Sequence, residues 1–151
     1  METVVQLNSQ AKLSEHFTLG EFTKSSSHPE VYNIPSHEAI ANLKRLCGWL
    51  EVLRERSGTP IRINSGYRSP QLNRAIHGNA NSNHMTGCAC DIRVSGMEQA
   101  LRYAVILMDY ADESKQEFDE LLIERNRYGA IWVHFAVRPK DNRRKILFIN
   151  A

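Results

Sequence analysis

Ile131-Trp132-Val133-His134-Phe135-Ala136-Val137 alternates residue by residue between two kinds of side chain. A strand turns successive side chains to opposite faces. Val133, Phe135 and Val137 therefore share an apolar face that belongs to a core, and Trp132, His134 and Ala136 share the other. His134 projects from a strand whose back is buried, which is a rigid mount for a ligand. Phe118 to Glu124 reads as the strand before it. Pro139 to Asn142 reads as a turn, and Lys145 to Ile149 as the last strand, adjoining through that turn.

Upstream, Ile61-Arg62-Ile63-Asn64 and Cys88 to Val94 read as two more strands. Helices precede and separate these strands. Thr18-Leu19-Gly20-Glu21 has the capping-box pattern of a short helix, with Phe17 as its apolar staple. Ser36 caps the next helix. Its Ile40, Leu43, Cys47, Leu50 and Leu53 recur at steps of three and four, and Ser57-Gly58-Thr59-Pro60 stops it. Pro70 opens a short helix that runs to Ile76 and ends at Gly78. Ser95-Gly96-Met97-Glu98 reads as a second capping box, with Leu101, Ala104, Val105 and Met108 as the apolar face of the helix that follows. Helices before and between strands, with the last strands adjoining, predict an α+β fold around a small, mostly antiparallel sheet flanked by helices.

At 151 residues, 42% apolar and 24% charged, the chain reads as one domain over 1–151, with 1–12 a loosely packed leading segment. No run approaches the ~18 apolar residues of a membrane span. A net charge of +2 and a pI near 8.5 are too mild for a nucleic-acid binder. The densest basic cluster, Arg138, Lys140, Arg143, Arg144 and Lys145, reads as a solvated turn and strand edge. Three cysteines, Cys47, Cys88 and Cys90, form neither a zinc knuckle nor a C-x-x-C pair, so a reducing compartment is expected. Met1 to Leu7 has neither the basic nor the apolar region of a signal peptide.

The chemistry concentrates in Ser82-Asn83-His84-Met85-Thr86-Gly87-Cys88-Ala89-Cys90-Asp91. Strand parity puts Asp91 with Ala89 on one face and Cys88 with Cys90 on the other. Two neutral imidazoles and a carboxylate suit zinc, and three protein ligands leave a fourth position for water. Taken alone, such a triplet carries little weight among six histidines. His84 reads equally as a solvated loop histidine, and His134 as a satisfied core histidine.

The context is more specific. Ser82-x-His84-x-x-Gly87-x-Ala89-x-Asp91 follows Ser65-Gly66-Tyr67-Arg68-Ser69 and Leu72-Asn73, and precedes Trp132-Val133-His134. In this order they resemble the zinc peptidases that cleave bacterial cell-wall peptides: the D-alanyl-D-alanine carboxypeptidases of the VanY type and the phage L-alanyl-D-glutamate endopeptidases. Phe17-Thr18-Leu19-x-Glu21-Phe22 is similar to the opening of one branch of that family. The resemblance runs from about residue 13 to the end.

The resemblance implies a fold of the hedgehog and D-Ala-D-Ala peptidase kind and one zinc ion on His84, Asp91 and His134. It also implies that Arg68 meets the substrate, in keeping with a guanidinium's bidentate fit to a carboxylate. Read alone, Arg68 is equally a surface ion pair. Ser82 either hydrogen-bonds substrate or braces its loop. Many relatives carry an acid three positions before the last histidine ligand, where this chain has Ile131. Glu124 takes the place of that acid as general base in the most similar branch, with Glu120, of the same strand parity, as runner-up and Asp119 a further candidate. Trp132 either walls the cleft or packs. Cys88 and Cys90 depart from the usual small residues; Cys90 adjoins Asp91, but parity turns it away from the site. His16, His28 and His37 read as surface residues.

The implied activity is hydrolysis of peptide bonds in peptidoglycan stem peptides, as carboxypeptidase or endolysin-like endopeptidase. The expected protein is a monomer with peptidoglycan peptides as its partners and no nucleic acid or membrane span. It would be cytoplasmic, or released in the phage manner without a signal peptide, and act at the cell wall. The alternative from another class is a non-catalytic, metal-stabilised binding module with a hedgehog-like zinc site.

Overall fold

Local signals set the helices, and the computed structural model, which describes residues 8–151, follows them in order. Strands β1 (Lys12–Ser14) and β2 (Phe17–Thr18) make a small antiparallel ribbon absent from the sequence reading. Met1 to Leu7 lies outside the described residues. Helix α1 (Leu19–Thr23) starts at Thr18, whose backbone N–H donates to Glu21 Oε1 at 3.0 Å. Helix α2 (His37–Ser57) is capped by Ser36 Oγ, which accepts from the Ala39 N–H, and ends at Gly58 with φ +68°. Strand β3 (Ile63–Ser65) leads to α3 (Pro70–Ala75), capped by Ser69. A 3₁₀ turn (Asn83–Thr86) precedes β4 (Ala89–Arg93). Helix α4 (Met97–Ser114) is followed by β5 (Glu120–Arg125), β6 (Ile131–Ala136) and β7 (Lys145–Asn150).

The five-stranded sheet has the order β3-β4-β6-β5-β7 and is antiparallel except between β5 and β7. The α+β expectation with a mostly antiparallel sheet therefore holds. The turn at Pro139–Asn142 does not fold β7 back onto β6. Both edges of β6 are already taken, by β4 and β5, so the chain crosses over and β7 pairs with β5 in parallel.

One face of the sheet carries Cys90 and Ile92 from β4, Leu121 and Ile123 from β5, and Val133 and Phe135 from β6. These side chains are buried in one core with Leu43, Leu46, Leu50 and Leu53 of α2 and Leu107 of α4. Each such side chain contributes about 1.5–3 kcal/mol by leaving water. The opposite face carries Asp91, His134, Leu122, Glu120 and Glu124, which border an open cleft. The helices therefore stiffen the back of the sheet whose front bears the polar residues.

Two readings of α4 are corrected. Gly96, not Ser95, is its N-cap; the Ser95 N–H instead donates to Gln99 Oε1 at 2.8 Å. The buried face is Ala100, Tyr103, Ala104, Leu107 and Ala111. Leu101 and Val105 are 43% and 51% exposed. Small alanines let α4 lie close to its neighbours, so the larger aliphatics on the adjoining stripe did not mark the inner face.

The basic C-terminal cluster is also more than a solvated turn. Asp119 is fully buried, and Arg143 binds it through Nε at 3.0 Å and Nη2 at 2.9 Å. Arg138 Nε lies 3.2 Å from the same carboxylate. These contacts tie the crossover to the start of β5.

Candidate metal centre

Gly87 sets the entry of β4. Its φ is +77°, and a Cβ there would stand 2.4 Å from the Ala39 carbonyl oxygen of α2. Only glycine meets both demands, the left-handed backbone and the close approach. The 3₁₀ turn before it buries His84, where a free loop would have left it in solvent. Asp91 and His134 are direct cross-strand partners on β4 and β6.

These three residues bring one donor atom each into a group spanning no more than 4.8 Å. His84 Nε2 lies 3.4 Å and His134 Nδ1 3.1 Å from Asp91 Oδ1. Ligands at about 2.0–2.1 Å around a tetrahedral zinc stand about 3.3 Å apart. The donor set therefore fits zinc in both spacing and type.

The outer nitrogens of both rings are held. His84 Nδ1 lies 2.7 Å from the Gly66 carbonyl, which can only accept, so Nδ1 is the donor there and Nε2 is the nitrogen turned toward Asp91. Gly66 is required there because a Cβ would meet the Phe22 backbone of α1 at 2.7 Å. His134 Nε2 faces Glu120 Oε1 at 3.0 Å. Burial alone would lower the His134 pKa and raise that of Asp91. Mutual pairing outweighs this: His134, also beside Glu120, rises to about 9, and Asp91, beside both histidines, is held well below the usual carboxylate range.

A cleft of about 310 Å³ opens over the cluster and is lined by Arg68, Ser82, Glu120 and Glu124 among others. Arg68 is no surface ion pair. Its side chain is 14% exposed, with Nε on Ser65 Oγ at 3.3 Å, Nη1 on Asn73 Oδ1 at 3.4 Å and Nη2 3.6 Å from Asp91 Oδ2. Ser82 Oγ accepts from the His84 N–H at 3.1 Å, so it braces the turn while bordering the cleft. Glu124 accepts a hydrogen bond from the Trp132 indole. Burial first, and Asp91 second, raise its pKa. Asp119 is absent from the cleft lining and is saturated by arginines.

Cys90 points into the core, and burial drives its thiol well above the ordinary range, so it is neither a ligand nor a nucleophile here. Cys88 is likewise raised by burial. His16 is exposed, as expected, and its Nδ1 sits 2.7 Å from Glu51 Oε1.

The family model described as Peptidase M15 matches residues 15–130. The chain belongs to the Peptidase M15 family. M15 peptidases are zinc-dependent, and the donor set described above fits that metal. The match ends four residues before His134, so the third candidate donor of this M15 chain lies outside it and is brought to the other two by the pairing of β6 with β4. A search of curated proteins finds no match. No helix among the described residues is long and apolar enough to cross a membrane.

Sequence reasoning missed several parts of this candidate site. The Gly66 carbonyl, the Asn83 amide and the Trp132 indole all act through hydrogen bonds that no spacing reveals. Lys145 and Ile149 of β7 reach the cleft only because β7 pairs with β5.

Proposed function

We propose that the chain is a zinc peptidase of bacterial peptidoglycan, hydrolysing peptide bonds in the stem peptides as a D-Ala-D-Ala carboxypeptidase or an endolysin-like endopeptidase. His84, Asp91 and His134 are the ligands in this reading. The observation that carries it is their convergence on one point at the floor of a cleft that also holds a half-buried arginine and a carboxylate of raised pKa. Zinc, when bound, supplies Lewis acidity toward the scissile carbonyl and acidifies a water.

The chain's own groups do the rest. Glu124 takes a proton from the attacking water and returns it to the leaving amine; its raised pKa suits both transfers. Trp132 holds that carboxylate in place from the neighbouring strand. Arg68 receives a substrate carboxylate with its planar fork, braced by Ser65 and Asn73. Ser82 supports the His84 turn and offers its hydroxyl to the substrate backbone.

Mass spectrometry of a peptidoglycan digest, with zinc-loaded protein beside a chelated control, tests this. Metal-dependent release of a defined fragment is expected and names the bond cut. The His84→Ala variant should lose zinc and activity together. No product from folded, zinc-loaded protein would overturn the peptidase reading on this substrate and favour a metal-stabilised binding module.

A further inference from the structure

Glu120 stands in the cleft beside a proposed ligand, and its contacts are those of an orienting group. His134 faces Leu122 across the β5–β6 pair, and Glu120 faces Ala136. The small Ala136 leaves room for the Glu120 carboxylate to lean along the sheet onto the His134 ring, where Oε1 meets Nε2 at 3.0 Å. The ring's other nitrogen faces Asp91, so the two carboxylates hold the imidazole from opposite sides.

The carboxylate is itself held. Asn83 Nδ2 donates to Glu120 Oε1 at 2.6 Å and to Asp119 Oδ2 at 2.8 Å. The orientation of that amide is set by its other end, because Arg138 Nε donates to Asn83 Oδ1 at 3.0 Å. A flipped amide would face the guanidinium with N–H groups and the carboxylates with an oxygen. Asn83 immediately precedes His84, so one buried amide links the turn bearing one imidazole to the carboxylate that aims the other.

We infer that Glu120 is a positioning residue for the metal centre, with Asn83 as its anchor: it accepts the His134 Nε2–H and thereby presents Nδ1 to the cation. This rests on the reading that His84, Asp91 and His134 bind zinc. It assigns Glu120 a task distinct from proton transfer, which belongs to Glu124. An outer carboxylate of this kind raises the basicity of a ligating imidazole, and its loss costs about 10–100-fold in metal affinity.

The test is a competitive zinc titration against a chromophoric chelator on wild type, Glu120→Ala, Glu120→Gln, Asn83→Ala and the Glu120→Ala/Asn83→Ala double variant. Glu120→Ala should bind zinc about 10–100-fold more weakly. Glu120→Gln keeps an acceptor at Oε1 for both donors and should recover most of that loss. Asn83→Ala should fall between, and the double variant should bind no more weakly than Glu120→Ala, because Asn83 acts through Glu120. In zinc-loaded wild type the His134 Nε2–H should appear by NMR as a slowly exchanging imidazole proton, and it should be lost from the spectrum of Glu120→Ala. Zinc affinity of Glu120→Ala within about twofold of wild type, with wild type binding normally, overturns the inference alone. Failure of folded wild type to bind zinc overturns the metal-centre reading first, and this inference with it.

Discussion

His84 directs its Nδ1–H at the carbonyl oxygen of Gly66, 2.7 Å away, and so turns Nε2 toward Asp91. The contact joins the two halves of the sequence pattern, S-G-Y-R and S-x-H-x-x-G, through one hydrogen bond. It also explains why a glycine stands at 66. The carbonyl reaches His84 only where the backbone passes against Phe22, and any side chain would push it away.

Glu124→Gln should retain zinc and lose turnover by about 10²–10⁴-fold, the usual worth of a positioned acid–base group. Trp132→Phe removes the indole donor together with one ring of the indole, while keeping an aromatic side chain. It should lower kcat about tenfold, in line with one hydrogen bond to a charged group at ~1.5 kcal/mol. Steady-state kinetics together with zinc content separates both effects from loss of metal. A fully active Glu124→Gln enzyme would remove Glu124 from the reaction.

Asp119 makes acid stability predictable. Burial alone would raise its carboxyl pKa, but Arg143, Asn83 and Arg138 outweigh that and hold it at about 2 against an ordinary 3.8. The folded value lies below the unfolded one, so the stabilisation is complete above the unfolded pKa and is lost as pH falls through about 2. Asp119→Asn should therefore lower the urea midpoint most at pH 7, by the equivalent of about 2 kcal/mol, since each pKa unit is worth about 1.4 kcal/mol. The gap to wild type should close as the pH approaches 2. A gap that stays constant with pH would contradict the ion-pair account.

Gly87→Ala combines a left-handed backbone with a contact of 2.4 Å to the Ala39 carbonyl oxygen. A cost of at least about 1–3 kcal/mol is expected from the backbone alone. The loss should appear in thermal melts of the metal-free protein, because the strain lies between α2 and β4 and does not require the ion. By contrast Gly129 is also left-handed, but nothing lies within 4 Å of where its Cβ would stand. It should tolerate alanine at the cost of the backbone strain only.

Leu107→Ala and Leu101→Ala distinguish the two faces of α4. Leu107 is fully buried, and its truncation should cost about 2–5 kcal/mol. Leu101 is 43% exposed, and its truncation should stay within about 0.5 kcal/mol. Chemical denaturation of the two variants, run side by side, decides which stripe is the inner one.

Strand parity and most local caps, that of α4 excepted, were legible in the sequence because they depend on near neighbours. Val133 and Phe135 against His134, Ser36 before α2, Pro70 at the start of α3 and the short helix after Thr18 all follow from spacing or one local hydrogen bond. The candidate donors His84, Asp91 and His134 were legible as a motif, since each sits at a fixed offset in its own segment. What joined them into one point was the pairing of Asp91 with His134 and the turn that buries His84. The inner face of α4 was not legible, because alanines that permit close packing look weaker than the leucine and valine beside them. The parallel crossover to β7, the burial of Asp119 under Arg143 and the bond from Asn83 to Glu120 were not legible either. These contacts link residues tens of positions apart, and long-range pairing is set by which sheet edges remain free after the rest of the chain has packed. Sequence alone thus determined the four α-helices, the five strands of the main sheet and the chemical identity of the candidate ligands. Only the tertiary structure decided which atoms face one another, because hydrogen-bond direction and ion pairing depend on distances that no local spacing encodes.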